Sequence, residues 1–261
     1  FPFCSIRYFI ISKEEGGKMW NKKTIAATID HAILKPMSTE QDVIEACQIG
    51  LQYQVASVCV RPCDVALAAS LLKGSPVVPS AVIGFPHGAH RSETKALEAR
   101  LAIEDGAKEL DMVMNIGQFL SGHDDYVKKD IEAVVKEAKP HGVQVKVILE
   151  TCYLSDEEIA RACKIAEAAG ADYVKTSTGF GSGPATPRAI EIMMETVGKT
   201  MGVKASGGVR TYETALGYLN QGCKRLGATA TKAIIDAAPG ESGEAPGESG
   251  EAPEDSGEAP E

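Results

Sequence analysis

The chain has 261 residues, 44% of them apolar, with 27 Lys and Arg, 36 Asp and Glu and a formal net charge of −9. That length suits one large domain with a sizeable core, and no apolar run approaches the roughly 20 residues that a membrane span needs. Eight of the acidic residues lie in residues 239–261, and taking them away leaves −1 for the body, so charge gives no support to a nucleic-acid or membrane partner and neither is expected.

Residues 1–21 read as an N-terminal extension outside the core. Phe1–Ile11 is apolar but broken by Arg7, and no small-residue cleavage site follows, so a signal peptide is not expected; Met19 reads as a natural start. From residue 22 to residue 238, short β-branched runs alternate with amphipathic helical stretches. The strands are expected at Ile25–Ile29, Val55–Val60, Val77–Ile83, Glu109–Asn115, Gln144–Leu149, Tyr173–Ser177, Gly202–Ala205 and Arg225–Ala228.

Helix signals fall between them. Ser92 is expected to open a helix that closes at Gly106. Ser155-Asp-Glu-Glu158 is a capping box before a helix that stops at Gly170, and Thr211 caps a helix ending near Gly222. Eight strands alternating with helices in one domain predict an α/β fold, a (β/α)8 TIM barrel. An open doubly wound sheet is the alternative, but no G-x-G-x-x-G follows the first strand. Residues 239–261 repeat a seven-residue unit of Pro, Gly, Ser, Glu and Ala, with alanine its only apolar residue. Such a segment cannot bury enough surface to offset chain entropy and is expected to be disordered.

The seven cysteines (Cys4, Cys47, Cys59, Cys63, Cys152, Cys163, Cys223) are odd in number and irregular in spacing, which fits a reduced cytoplasmic setting. His87 and His90 form H-x-x-H with no further Cys or His nearby, so a polar loop is expected there rather than a metal site.

Active sites of such barrels gather at the C-terminal ends of the strands. The polar residues expected there are Asp30, Cys59, Asp111, Asn115, Lys146, Glu150, Lys175, Thr176, Ser177, Lys204 and Ser206. The set holds lysines and carboxylates but no histidine triad, which favours amine chemistry. A lysine must lose its proton to attack a carbonyl, and both desolvation and a nearby cation promote that loss. Lys175 and Lys204 lie on neighbouring strands six and seven, where each can depress the other's pKa and the more buried one becomes the nucleophile. Asp111, on strand four, can balance the remaining charge and pass protons. Cys59 reads as a small residue of the pocket wall, Lys146 as a partner of Glu150 or Asp111, and Asp30 as a residue that orients a lysine or holds the first loop. Glycine turns follow strands seven and eight, at Gly207-Gly208-Val-Arg210 and at Gly227-Ala-Thr229. Those are the two strands whose loops often bind phosphate in this fold.

These residues recur in motifs that resemble the deoxyribose-phosphate aldolase family, class I aldolases that need no metal. The motifs are Ile29-Asp-His-Ala-Ile-Leu-Lys-Pro36, Val58-Cys-Val60, Ile83-Gly-Phe-Pro86, Glu109-Leu-Asp-Met-Val-Met-Asn-Ile-Gly117, Lys146-Val-Ile-Leu-Glu150, Val174-Lys-Thr-Ser-Thr-Gly-Phe-Gly181 and Val203-Lys-Ala-Ser-Gly-Gly-Val-Arg210. The resemblance implies reversible cleavage of 2-deoxy-D-ribose 5-phosphate to D-glyceraldehyde 3-phosphate and acetaldehyde, in deoxyribonucleoside catabolism. It implies Lys175 as the Schiff-base former, Lys204 as the cation that lowers its pKa and Asp111 as part of the proton relay. Asp30, Cys59, Lys146 and Thr178 would contact substrate, and Gly179, Gly207, Gly208, Gly227 and Thr229 would bind its phosphate. It implies no cofactor, and a homodimer or homotetramer, as family members often form. The chain departs from the family at Ala32, where threonine is usual, and at Thr229 and Thr231, where serine and glycine are common. A different Schiff-base aldolase, a phosphate-binding isomerase and a barrel repurposed for binding are the rival readings.

Overall fold

A computed structural model describes residues 20–240. The strands are β1 (Ile29–Ile33), β2 (Ser57–Val60), β3 (Val78–Ile83), β4 (Glu109–Val113), β5 (Gln144–Ile148), β6 (Tyr173–Lys175), β7 (Gly202–Ser206) and β8 (Arg225–Ala228). Each pairs in parallel with its sequence neighbour, and β8 pairs with β1, closing the barrel. The helices are α1 (Lys22–Ala26), α2 (Glu40–Tyr53), α3 (Val65–Leu71), α4 (Ser92–Glu104), α5 (Ile116–Leu120), α6 (Asp124–Ala138), α7 (Asp156–Ala168), α8 (Pro187–Val197), α9 (Tyr212–Asn220) and α10 (Thr231–Asp236). The (β/α)8 barrel expected from the alternation of elements is the fold observed. The expectations for residues 1–19 and for the repeat from residue 241 onward lie outside the described residues.

The first strand was expected four residues too early. Ile25 belongs to α1, because Asn21 caps that helix through a capping box with Thr24. β1 therefore starts at Ile29, and Asp30 sits inside the strand rather than at its end. The helix expected to open at Ser92 does so: α4 starts there with Arg91 at the cap position, and Ser92 Oγ donates to Asp130 Oδ1 on α6, 2.9 Å away. Asn115 lies past β4, where its side chain accepts from Gln118 N and caps α5. Ser155 and Thr211 cap α7 and α9 as expected.

Strand parity then sorts the barrel into two compartments. Side chains alternate across a strand. One set, including Ile29, Val58, Val60, Ile83, Leu110, Met112, Val145, Val147, Val174, Val203 and Leu226, packs into the apolar core beneath the helices. The register aligns the other set around the interior: Cys59 with Ser80, Ser80 with Glu109, Asp111 with Lys146, Lys175 with Lys204, and Lys204 with Arg225. Barrel interiors of this fold are usually filled by Val, Ile and Leu. Here the interior carries a concentration of buried charge.

Candidate active site

The charged residues of the interior form one connected network. Lys175 Nζ, on β6, donates to Asp111 Oδ2 at 2.7 Å. Lys204 Nζ, on β7, donates to the same oxygen at 2.6 Å and also to Asp30. Lys146 Nζ, on β5, reaches Asp111 Oδ1 at 2.9 Å and Glu109 Oε2 at 2.5 Å. Arg225, on β8, pairs with both Asp30 and Glu109. Asp30 Oδ1 also accepts from Ser57 Oγ at 2.7 Å. All seven charged residues are buried, and so is Ser57. Charges taken from water at such cost persist only when paired and hydrogen-bonded.

The two cavity lysines differ in ionisation. Burial pushes the Lys175 amine down, Asp111 opposes this, and Lys204 adds to the depression; the net result lies below the ordinary lysine range. Burial acts on Lys204 as well, yet Asp111 and Asp30 outweigh it and the ammonium is favoured. The sequence criterion was that the more buried lysine becomes the nucleophile. Exposure does not separate them, at 3% for Lys175 and 1% for Lys204. The number of carboxylates does: Lys204 touches two and Lys175 one. Asp111 resists ionisation through burial, but Lys146, Lys175 and Lys204 together hold its carboxyl well below the usual carboxylate range.

Above this network opens a cavity of about 330 Å³, lined by Asp30, Cys59, Lys175 and Lys204 at its base. Lys146 and Asp111 are not part of the lining. Lys146 was expected to touch substrate; it lies beneath the cavity, tied to Glu109 and Asp111 rather than to Glu150. Burial drives the Cys59 thiol up, which keeps it neutral. Glu150, at φ 55°, reaches the loop after β6, where its carboxylate accepts from Thr178 N at 3.2 Å and from the Thr178 hydroxyl. Thr178 Oγ1 in turn accepts from Phe180 N at 2.9 Å, so Glu150 shapes the loop that presents Thr178, Gly179 and Phe180 to the cavity.

The cavity lining also includes Gly207, Gly208, Arg210, Gly227 and Thr229. Gly207 and Gly208 have φ of 81° and 77°, a left-handed pair that L side chains adopt only under strain. At Gly227 an added Cβ would lie 2.5 Å from Ser206 Oγ and 3.3 Å from Lys204 Cε, so only glycine leaves β7 its room. Exposed Lys35 joins Arg210 at the rim; the sequence reading missed it as a site residue. Thr231 is buried and tied down, its hydroxyl 2.8 Å from His31 Nδ1. His87 and His90 are exposed on the loop after β3, and among the described residues no cluster of His, Cys, Asp or Glu could hold a metal ion.

A family model described as DeoC/LacD family aldolase matches residues 24–244. Among curated relatives, the deoxyribose-phosphate aldolase of Thermococcus gammatolerans is 52% identical over 216 residues, covering 82% of this chain and 96% of the relative. That of Caldanaerobacter subterraneus subsp. tengcongensis is 51% identical over 213 residues, covering 81% and 92%. Among solved structures, the tetrameric deoxyribose phosphate aldolase of Aeropyrum pernix superposes with a TM-score of 0.78 at 31% identity, covering 83% of this chain and 92% of that one.

Proposed function

The chain belongs to the DeoC/LacD aldolase family, and from that premise we propose that it cleaves 2-deoxy-D-ribose 5-phosphate reversibly to D-glyceraldehyde 3-phosphate and acetaldehyde through an imine on Lys175. The observation that carries the residue assignment is the pairing of Lys175 with a single carboxylate oxygen that Lys204 already occupies. Burial and a neighbouring cation both disfavour the ammonium of a lysine so placed, which raises the share of free amine able to attack an aldehyde.

In this mechanism the Lys175 amine adds to the aldehyde carbon of the open-chain sugar, and the carbinolamine loses water to give an iminium. The bond between C2 and C3 then breaks. Its electron pair moves into the iminium to form an enamine while the C3 hydroxyl gives up its proton, releasing the phosphorylated aldehyde. Protonation of the enamine carbon and hydrolysis free acetaldehyde and restore the amine. Asp111, hydrogen-bonded to the reacting nitrogen, passes protons to and from it. Asp30 holds Lys204, and Cys59 and Thr178 border the two-carbon end. The phosphate binds at Gly179, Gly207, Gly208, Gly227 and Thr229, with Lys35 and Arg210 adding charge; the support for this is that all seven line the cavity that Lys175 enters.

A homo-oligomer and a cytoplasmic setting belong to the same proposal. No helix among the described residues is long and apolar enough to cross a membrane, and the Aeropyrum pernix relative is tetrameric. The direct test is incubation with acetaldehyde and borohydride, followed by peptide mass spectrometry. An ethyl adduct on Lys175 is expected; no adduct, or one elsewhere, overturns the assignment.

A further inference from the structure

The buried network extends well below the groups that meet the cavity. Its cations are Lys146, Lys204 and Arg225, and its anions are Asp30, Glu109 and Asp111, three of each. The set is therefore electroneutral when the fourth cationic side chain, Lys175, carries no proton. A proton on Lys175 would leave one uncompensated positive charge inside the barrel, where unpaired charge is costly.

We propose that Arg225 and Glu109, which do not reach the cavity, hold Lys175 in its unprotonated form by fixing the charge of this network. They are positioning residues and touch no substrate. Arg225 bridges Asp30 and Glu109, and Glu109 passes the connection through Lys146 to Asp111, the acceptor of Lys175. The charged and titratable groups of the network come from every strand but β3: Asp30 from β1, Cys59 from β2, Glu109 and Asp111 from β4, Lys146 from β5, Lys175 from β6, Lys204 from β7 and Arg225 from β8; β3 contributes the neutral Ser80. Cys59 adds no charge, since its thiol is held neutral by burial. The depressed ionisation of Lys175 agrees with this count.

The charge count makes opposite demands on two neighbours. Removing the Arg225 cation leaves a net negative interior that a proton on Lys175 would neutralise. Removing the Glu109 anion leaves a net positive interior that disfavours that proton further. A role in packing alone has no such sign.

The inference rests on Lys175 being the imine-forming residue, so the full-length wild type is first trapped with acetaldehyde and borohydride. The acid limb of the kcat/KM profile is then compared among variants, together with the pH dependence of acetylation at Lys175 by trace acetic anhydride. Arg225→Gln should move both midpoints up by about one pH unit or more, and Glu109→Gln should move them down. The double variant should return them towards wild type, and Arg225→Lys should leave them near wild type. If Arg225→Gln does not fold, Glu109→Gln decides alone by the direction of its shift. Midpoints that stay fixed, or that move the same way in both single variants, overturn the inference while trapping at Lys175 stands. Failure to trap Lys175 in the wild type overturns the functional reading instead.

Discussion

Lys175 and Lys204 donate to one and the same atom, Asp111 Oδ2, at 2.7 and 2.6 Å. Two ammonium groups on one oxygen repel each other, so the pair favours a single proton-rich partner. Asp30 makes that partner Lys204.

Lys204→Leu removes the cation beside Lys175. Asp111 then has Lys175 as its nearest base and favours the ammonium. We expect kcat at neutral pH to fall by roughly two orders of magnitude, since each unit of upward pKa shift removes about tenfold of the free amine. Activity should recover in part as the pH rises. Full activity of Lys204→Leu at neutral pH would contradict the arrangement.

Asp111→Asn leaves Lys146, Lys175 and Lys204 without their shared acceptor. Breaking one partner out of a buried ionic cluster costs about 3–5 kcal/mol. We expect a lower urea midpoint together with loss of turnover, read by circular dichroism and by the coupled assay. A variant as stable as wild type would show that the carboxylate is not holding the interior.

Lys35→Ala and Arg210→Ala act at the exposed rim of the cavity. Each should raise KM for the phosphorylated sugar by roughly tenfold, the worth of one charge-assisted hydrogen bond. KM for unphosphorylated 2-deoxyribose should not change. Equal losses on both substrates would move the phosphate away from this rim.

His31 governs a separate acid sensitivity. Burial pushes its imidazole down to about 4 from its ordinary 6.5. The unfolded chain therefore binds a proton that the folded chain refuses between those two pH values, and stability falls as the pH drops through that window. The full loss is about 3 kcal/mol by this difference. His31→Leu should flatten the dependence of the urea midpoint on pH between 6.5 and 4, and an unchanged slope would assign the sensitivity to other groups.

Much of this was legible in the chain. Strand periodicity led to the barrel, and Lys175, Lys204 and Asp111 stood out because charged residues in apolar β runs are uncommon. Parity could also have marked Glu109 and Arg225, which share a register face with Asp111 and Lys204. Both lie at strand starts, away from the C-terminal strand ends where the active sites of this fold gather. The place of β1 was obscured by Ile25, whose apolar run belongs to a short capped helix. Which lysine loses its proton could not be read from burial, since the decision rests on Asp30, a residue 174 positions from Lys204 in sequence. Lys35 gave no periodic signal, because it lies in the loop after β1.

The cavity runs from buried lysines to an exposed basic rim, and dissolved salt distinguishes these two ends. Mobile ions screen exposed charges over roughly a Debye length of 8–10 Å at moderate ionic strength, but they scarcely reach buried pairs. Raising the salt concentration should therefore weaken capture of the phosphorylated sugar at Lys35 and Arg210. The pH at which Lys175 becomes reactive should stay where it was. Ionic strength thus offers a way to tune substrate recruitment without altering the chemistry.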